Sequence, residues 1–227
     1  SNLKFPDGIN GDPINFNGYS NDYTVPAGKT LYITVPHVSN DDLIVNGMTM
    51  ISTSINSGSH AGLRYNPLVV KEGEIISGTA DFHGLLFENS SIEPITWLLS
   101  NGGTLFDYTV PTGKELYILN QYSIGTGELL IDGIELNADV NNNYWAMGQP
   151  IKVKEGQVVS TYLGNIINFN GYVADENYFS NSGGGSSSTT SSSSVGDFSY
   201  PDGKDNITPI IHDLSSTTYT VPSGKNL

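Results

Sequence analysis

YTVPAGKTLYI at residues 23–33 recurs as YTVPTGKELYI at residues 108–118, and its opening returns as YTVPSGKNL at residues 219–227. The pattern alternates Tyr, Val, Leu and Ile with polar residues around a Pro-x-Gly-Lys turn. Such alternation predicts short β-strands, because successive side chains of a strand point to opposite faces. A long segment that returns along the chain indicates a protein built of similar modules.

Three further blocks follow the first copy, and each of them recurs in the same order after the second copy. They are LIVNGM from residue 43 and LLIDGI from residue 129, NPLVVKEGEIIS from residue 66 and QPIKVKEGQVVS from residue 149, and HGLLF from residue 83 and NGYVA from residue 170. The distance between matched blocks stays between 83 and 87 residues. This near-constant distance predicts the duplication of a whole module.

A Pro-Asp-Gly leader marks a longer period. FPDG from residue 5 precedes the first copy, and YPDG from residue 200 precedes the third. We therefore predict that the repeating unit is a pair of modules, and that the chain is a piece of a longer protein or lends its last segment to a neighbour. The predicted parts are a first module at 1–90, a second at 91–180, a flexible Gly/Ser linker at 181–197, and the leader and first strand of a third, truncated module at 198–227.

The turn signals predict an all-β fold. Asn46-Gly47 and Asp132-Gly133 are dipeptides typical of two-residue hairpins, and no segment has the 3.6-residue period of a helix. About eight strands in each copy predict two tandem jelly-roll-like β-sandwich modules. Residues 91–104, which include Ile95 and Trp97, are predicted to join the modules, and their apolar character predicts that the modules pack together.

Composition and charge exclude several classes of protein. The net charge is −14, and 9 basic residues are too few for a nucleic-acid surface or for binding to anionic lipid. The chain has no cysteine, so it holds no disulfide or thiol nucleophile. No apolar run is long enough for a transmembrane helix, and the N-terminus does not have the pattern of a signal peptide. The acidity itself is typical of a soluble, self-repelling surface protein.

The histidines and serines form no catalytic pattern, so we predict a protein that is not an enzyme and has no catalytic residues. His83 aligns with Asn170 and His37 falls near Tyr122, so neither recurs in the second copy. Metalloprotease, nucleophile-elbow and phosphate-loop motifs are absent from the sequence.

An Asn/Asp-rich loop is a candidate calcium site. Asp139, Asn141 and Asn143 place three oxygen-bearing side chains close together, and calcium prefers oxygen ligands. The same residues also favour turns for local reasons, so a structural turn is the competing interpretation. Calcium is the one cofactor that the sequence suggests.

Aromatic residues beside hydrogen-bonding groups are a candidate glycan site. Tyr144 and Trp145 follow the Asn-rich loop, and Arg64 with Tyr65 occupies the matching part of the first module. Trp145 would alternatively belong to a core or to a contact between modules. The tyrosines that recur in the repeat are interpreted as shared packing positions; they are Tyr23, Tyr32, Tyr108 and Tyr117.

These motifs together resemble small jelly-roll modules of phage fibres and spikes and of large repetitive surface proteins of Bacteroidetes-like bacteria. The resemblance covers residues 20–88 and 105–174 and brings no catalytic or binding residues with it. It implies structural stalks, adhesive heads or receptor-binding knobs, which are often homotrimeric.

We therefore expect a non-enzymatic structural and adhesive repeat of an extracellular, cell-surface or virion fibre, which associates with itself and binds a surface glycan or receptor. A pair of carbohydrate-binding modules and a viral capsid or spike protein are the alternatives. The strand that contains Tyr219 and Val221 is a candidate assembly strand, since it could add to the sheet edge of an adjacent subunit. The competing interpretation is that the chain simply ends there.

Overall fold

The computed structural model describes residues 3–37, 42–52, 66–124, 127–136, 144–164, 166–179 and 219–221. All regular structure in these residues is β-strand. The first eight strands are β1 Asp12–Phe16, β2 Tyr23–Thr24, β3 Lys29–His37, β4 Asp42–Val45, β5 Met48–Ser52, β6 Leu68–Val70, β7 Ile75–Ser77 and β8 Asp81–Glu88. The next eight are β9 Glu93–Asn101, β10 Tyr108–Thr109, β11 Lys114–Ile124, β12 Leu130–Ile131, β13 Ile134–Glu135, β14 Tyr144–Val153, β15 Val158–Ser160 and β16 Ile166–Asp175.

Each set of eight strands forms two four-stranded antiparallel sheets with the same order. In the first sandwich the orders are β1-β8-β3-β6 and β2-β7-β4-β5. In the second they are β9-β16-β11-β14 and β10-β15-β12-β13. Apart from the hairpins β4-β5 and β12-β13, neighbours in a sheet are distant in sequence, as in a jelly roll, where the chain crosses repeatedly between two sheets. The predicted all-β fold of two jelly-roll-like modules is confirmed.

The prediction that residues 91–104 join the modules is wrong. Most of this segment is β9, the first strand of the second sandwich, which pairs with β16 along its whole length. Ile95 and Leu99 pack in the core of that sandwich, so the apolar residues serve the module itself. Sequence comparison could have found this strand, because EPITW at 93–97 repeats DPINF at 12–16.

The Pro-x-Gly-Lys turn is built as predicted, and it is tied to the Lys-Glu-Gly turn of the same copy. The Lys29 amide donates to the Pro26 carbonyl over 3.1 Å, and Gly28 has a φ of 73°. The Glu72 carboxylate accepts a hydrogen bond from the Gly28 amide. In the second copy Glu155 accepts from Gly113 over 2.7 Å. The two repeated motifs therefore form one contact, which explains why they recur together.

The two Gly dipeptides form tight hairpins, which confirms the sequence prediction. Asn46 and Asp132 adopt φ values of 48° and 51°, and the following glycines adopt 78°. Positive φ at both central residues is the geometry of a type I′ turn, which suits the twist of paired strands. In each copy the side chain at this position also accepts a hydrogen bond from a strand amide, at Ile75 or Val158, over 2.9 Å.

Each sandwich has an apolar core between its two sheets, and the same aromatic arrangement recurs in both. Phe16, Tyr23 and Phe82 contact each other in the first core. Trp97, Tyr108 and Phe169 form the matching contacts in the second sandwich, with ring centroids 5.2 Å and 6.0 Å apart, and here Trp97 is 36% exposed at the margin of the core. The recurring tyrosines Tyr23 and Tyr108 are thus packing residues.

Candidate functional site

The most extensive site that the structure builds is the interface between the two sandwiches. The edge strands β5 and β6 of the first sandwich lie on the outer face of the second, which β9, β16, β11 and β14 form. The contact is therefore an edge on a face, with different surfaces contributed by two similar modules. Because β11 is buried on both sides, it has no solvent-exposed face over most of its length.

Asparagine side chains of the second sandwich replace the missing neighbour of edge strand β6. Asn170 accepts a hydrogen bond from the Val69 amide and donates to the Val69 carbonyl, both over 2.9 Å. Asn120 donates to the Pro67 carbonyl over 3.0 Å. In the opposite direction, Asn66 donates to the Leu119 carbonyl over 2.7 Å. All three asparagines are buried, so these bonds satisfy backbone groups that water does not reach.

Tyr122 extends this interface into the core of the other sandwich. It belongs to β11, yet it is 3% exposed and is part of the same buried apolar cluster as Ile51 and Phe82 of the first sandwich. Its phenol is hydrogen-bonded to Ser52 of β5, and burial raises the pKa of that phenol. The open side of the first sandwich is therefore closed by a residue of the second.

A third apolar cluster forms a seam along the junction. Its members come from both sandwiches, from the leader and from the segment after β16; they are Leu3, Tyr32, Val69, Ile92, Tyr117, Leu119, Tyr172, Ala174 and Phe179. The rings of Tyr117 and Tyr172 stack with centroids 5.0 Å apart. The recurring Tyr32 and Tyr117 thus both serve the contact between modules.

The Pro-Asp-Gly leader is part of this seam. The Asp7 carboxylate accepts hydrogen bonds from the hydroxyls of Tyr32 and Ser90, each over 2.6 Å. Phe5 stacks on Tyr32, and the Leu3 carbonyl accepts a hydrogen bond from the Tyr172 hydroxyl over 2.7 Å. Burial is the main cause that raises the pKa of Tyr32, and the bond to Asp7 adds to it. The leader therefore ties the two sandwiches together at one end of the seam.

The outer face of the first sandwich matches the docking face of the second, and part of it is open. It carries a cleft of about 420 Å³ lined by Asn15, Val35, Asp81 and His83 among others. Val35 is 60% exposed. The His83 Nδ1 atom lies 2.9 Å from the Thr34 hydroxyl, which also donates to the His83 carbonyl. The cleft combines an apolar side chain with an amide, a carboxylate and an imidazole.

Most of the residues predicted for ligands lie outside what the structure describes. Arg64 and Tyr65 of the glycan prediction are outside the described residues, as are Asp139, Asn141 and Asn143 of the calcium prediction. The backbones of Tyr144 and Trp145 begin strand β14 and pair with Tyr122 and Gln121. Sequence reasoning missed the buried asparagines, because Asn is common in turns and its pairing with a distant strand edge leaves no local pattern.

The structure describes the predicted assembly segment only at residues 219–221. Residues 219–221 form no strand in the structure, and Val221 is 38% exposed. Within the described ranges, no group of three or more His, Asp or Glu could hold a metal ion. The described part of the chain also has no helix of the length and apolarity that crossing a bilayer requires.

No protein-family model matches the chain, and no curated protein matches it. Among solved structures, a conserved protein of unknown function from Pseudomonas aeruginosa PAO1 is similar over 73% of this chain and 76% of its own, with 12% identity and a TM-score of 0.30. A similarity at this level carries no argument about function.

Proposed function

We propose that this chain is a non-enzymatic structural and adhesive repeat of an extracellular, cell-surface or virion fibre, acting in self-assembly and attachment. The observation that carries the proposal is the interface in which the second sandwich closes the core and caps the edge of the first. A stalk has to keep its modules in one orientation. Two sandwiches that share buried side chains and backbone hydrogen bonds meet that requirement better than modules on a flexible joint.

The charge supports the same role. A net charge of −14 favours separation of crowded copies at a surface, so association has to come from specific contacts. The leader, which binds Tyr32 and Tyr172 at the junction, recurs from residue 200. A recurring junction element is consistent with a longer array of paired modules.

Stiffness is the first property to test. Small-angle scattering of the purified chain should fit one fixed arrangement of the two sandwiches, and calorimetry should give a single unfolding transition. Asn120→Ala with Asn170→Ala should loosen the pair and separate the transitions. Two independent transitions in the unchanged protein, with a broad distribution of sandwich orientations, would contradict the proposal.

Assembly and attachment need a separate measurement. Electron microscopy with mass photometry should show filaments or trimeric stalks of the full-length protein, and a glycan array should identify a bound surface sugar. Trp145→Ala and Tyr144→Ala test the predicted glycan residues, and calcium against chelator in the same assay tests the Asp139 loop. Dispersed monomers that bind no surface and turn over a substrate would refute the fibre hypothesis.

A further inference from the structure

The contact between the sandwiches is heterologous, since an edge of one module meets a face of its copy. A heterologous contact uses one edge and one face and leaves the other edge and the other face unused. Here the counterparts of β5 and β6 are β13 and β14, which are likewise edge strands, and within the described residues no strand pairs with their outer edges. β14 also contributes to the internal docking face, where it contacts β5. The corresponding open face is the outer face of the first sandwich around the cleft, where Val35 is exposed.

The residues that carry the internal contact have counterparts on these two surfaces. Buried Asn120 corresponds to Val35, since both follow the same irregularity in β11 and β3 and pair with Asn170 and His83 respectively. Val35 is 60% exposed, and His83 is partly buried beside the cleft. On the edge side, buried Asn66 corresponds to Gln149, which is exposed.

We propose that the open face of the first sandwich receives the β14 edge of a second copy of this chain, so that chains associate head to tail. The inference deepens the proposed function and rests on it for the assumption of self-assembly. In a heterologous contact, each added chain brings a new copy of the edge and of the face. Repetition of this step therefore gives an open filament or, if the rotation closes, a ring.

The chemistry of the two surfaces predicts a reversible contact. The Gln149 amide would donate to the Thr34 carbonyl, as Asn66 donates to the Leu119 carbonyl inside the chain. Val35 would be buried against the edge, which is favourable for an exposed apolar side chain. His83 is the counterpart of Asn170, which hydrogen-bonds to both the amide and the carbonyl of Val69. The proposed contact between chains therefore has fewer matched hydrogen bonds than the contact within the chain. We therefore expect micromolar to millimolar association.

Single cysteines test the geometry directly, because the chain contains none of its own. Val35→Cys and Gln149→Cys are prepared separately in the full chain, and each site is exposed enough to tolerate the change. Under mild oxidation, the mixture should form disulfide-linked dimers about tenfold faster than either variant alone, because docking raises the effective concentration of the two thiols. Dimers of Val35→Cys alone at the rate of the mixture, or no acceleration in the mixture, would overturn the proposal.

Sedimentation velocity tests the association without a cross-link. The unchanged chain should show a sedimentation coefficient that rises with concentration, and Val35→Arg or Gln149→Ala should abolish the rise. Ile9→Arg is the matched control, since Ile9 is 69% exposed in the segment before β1 and is not among the residues that line the cleft. A chain that is stiff but monomeric at every concentration refutes this contact and leaves the proposed stalk function standing. If Val35→Arg instead removes glycan binding from a monomer, the cleft is a ligand site and the contact is wrong.

Discussion

At the scale of single residues, one hydrogen-bonded pair has exchanged its chemical groups between the copies. In the first sandwich the Asn46 amide donates to the Glu74 carboxylate over 3.1 Å. In the second, the Gln157 amide donates to the Asp132 carboxylate over 2.9 Å. The amide and the acid have changed places, and the bond between the hairpin and the next turn is retained. Each of the two positions differs between the copies, but the hydrogen bond that joins them is present in both.

This exchange makes a double-mutant prediction. Asn46→Asp places a second carboxylate beside Glu74, and we expect the free energy of unfolding to fall by about 1–2 kcal/mol at neutral pH. Adding Glu74→Gln recreates the arrangement of the second sandwich and should recover most of the loss. Urea denaturation of the two single variants and the double variant gives the coupling energy. Additive effects would show that the pair is not coupled.

The pH dependence of the Asn46→Asp variant has a defined sign. Burial raises the pKa of Glu74, so the folded protein holds that proton more tightly than the unfolded chain does. Stability therefore rises as pH falls through the raised pKa, and the deficit of Asn46→Asp should shrink in the same direction. A deficit that stays constant from neutral to acidic pH would contradict this assignment.

We expect the buried tyrosines of the seam to set the alkaline limit of stability. Burial is the main cause that raises the pKa of Tyr32, Tyr117 and Tyr172, and carboxylates that accept from Tyr32 and Tyr117 raise it further. The folded state keeps these phenols protonated, so stability is lost as pH rises above about 10, the ordinary phenol pKa. Ultraviolet titration should show these phenols ionising together with unfolding. Tyr32→Phe should remove one phenol from that step, and ionisation of all three before unfolding would disprove the assignment.

At the scale of elements, edge strand β6 depends on a side chain rather than on another strand. Asn170 of β16 provides both the acceptor and the donor that a neighbouring strand would provide to Val69. It is also held in place by a bond of 3.0 Å to the Thr96 hydroxyl of β9. An edge strand with satisfied, buried backbone groups cannot pair with another chain, so this residue also protects β6 from aggregation.

Asn170→Ala should therefore be costly. The variant leaves a buried amide and a buried carbonyl of Val69 without partners, and we expect a loss of about 2–4 kcal/mol in the free energy of unfolding. His83→Ala is the matched control at the equivalent position of the first sandwich, and about 1 kcal/mol or less is expected there because the site is partly open. Equal losses in chemical denaturation would show that the cap on β6 contributes nothing special.

At the scale of the whole molecule, the first sandwich is incomplete by itself. Tyr122 is contributed by β11 of the second sandwich and fills the first core. We therefore expect the two sandwiches to unfold as one unit, although their folds are separate copies. This dependence runs from the first sandwich to the second, which has its own closed core.

Tyr122→Ala should destabilise the first sandwich, although Tyr122 belongs to a strand of the second. Removal of a buried aromatic ring is expected to cost about 3 kcal/mol. Hydrogen exchange followed by residue should accelerate in β4, β5 and β7 of the first sandwich as strongly as in β11. Tyr23→Ala, which acts on the same core from within, is the control for the pattern. Faster exchange confined to β11 would contradict the shared core.

The turns and hairpins could be predicted from the few residues that form them. The Pro26-Gly28 turn and the Asn46-Gly47 hairpin depend on the φ values that proline, glycine and asparagine adopt, and these preferences act within a few residues. The duplication then predicted two similar sandwiches, because one sequence pattern that recurs twice favours one fold twice. The strand at 93–101 was missed, since its match to 12–16 is short and shares mainly Pro-Ile.

The sequence by itself determined the all-β class, the turns, the repeated strands beside them and the presence of two similar modules, because these depend on neighbours in the chain. Only the tertiary structure decided that the tyrosines Tyr32 and Tyr117 meet at one seam, that Asn170 caps Val69, and that Tyr122 enters the other core. Those contacts join residues of different copies, and no periodicity encodes them. They depend on how two finished sandwiches fit together, which is settled by the shape and the unsatisfied groups of their surfaces.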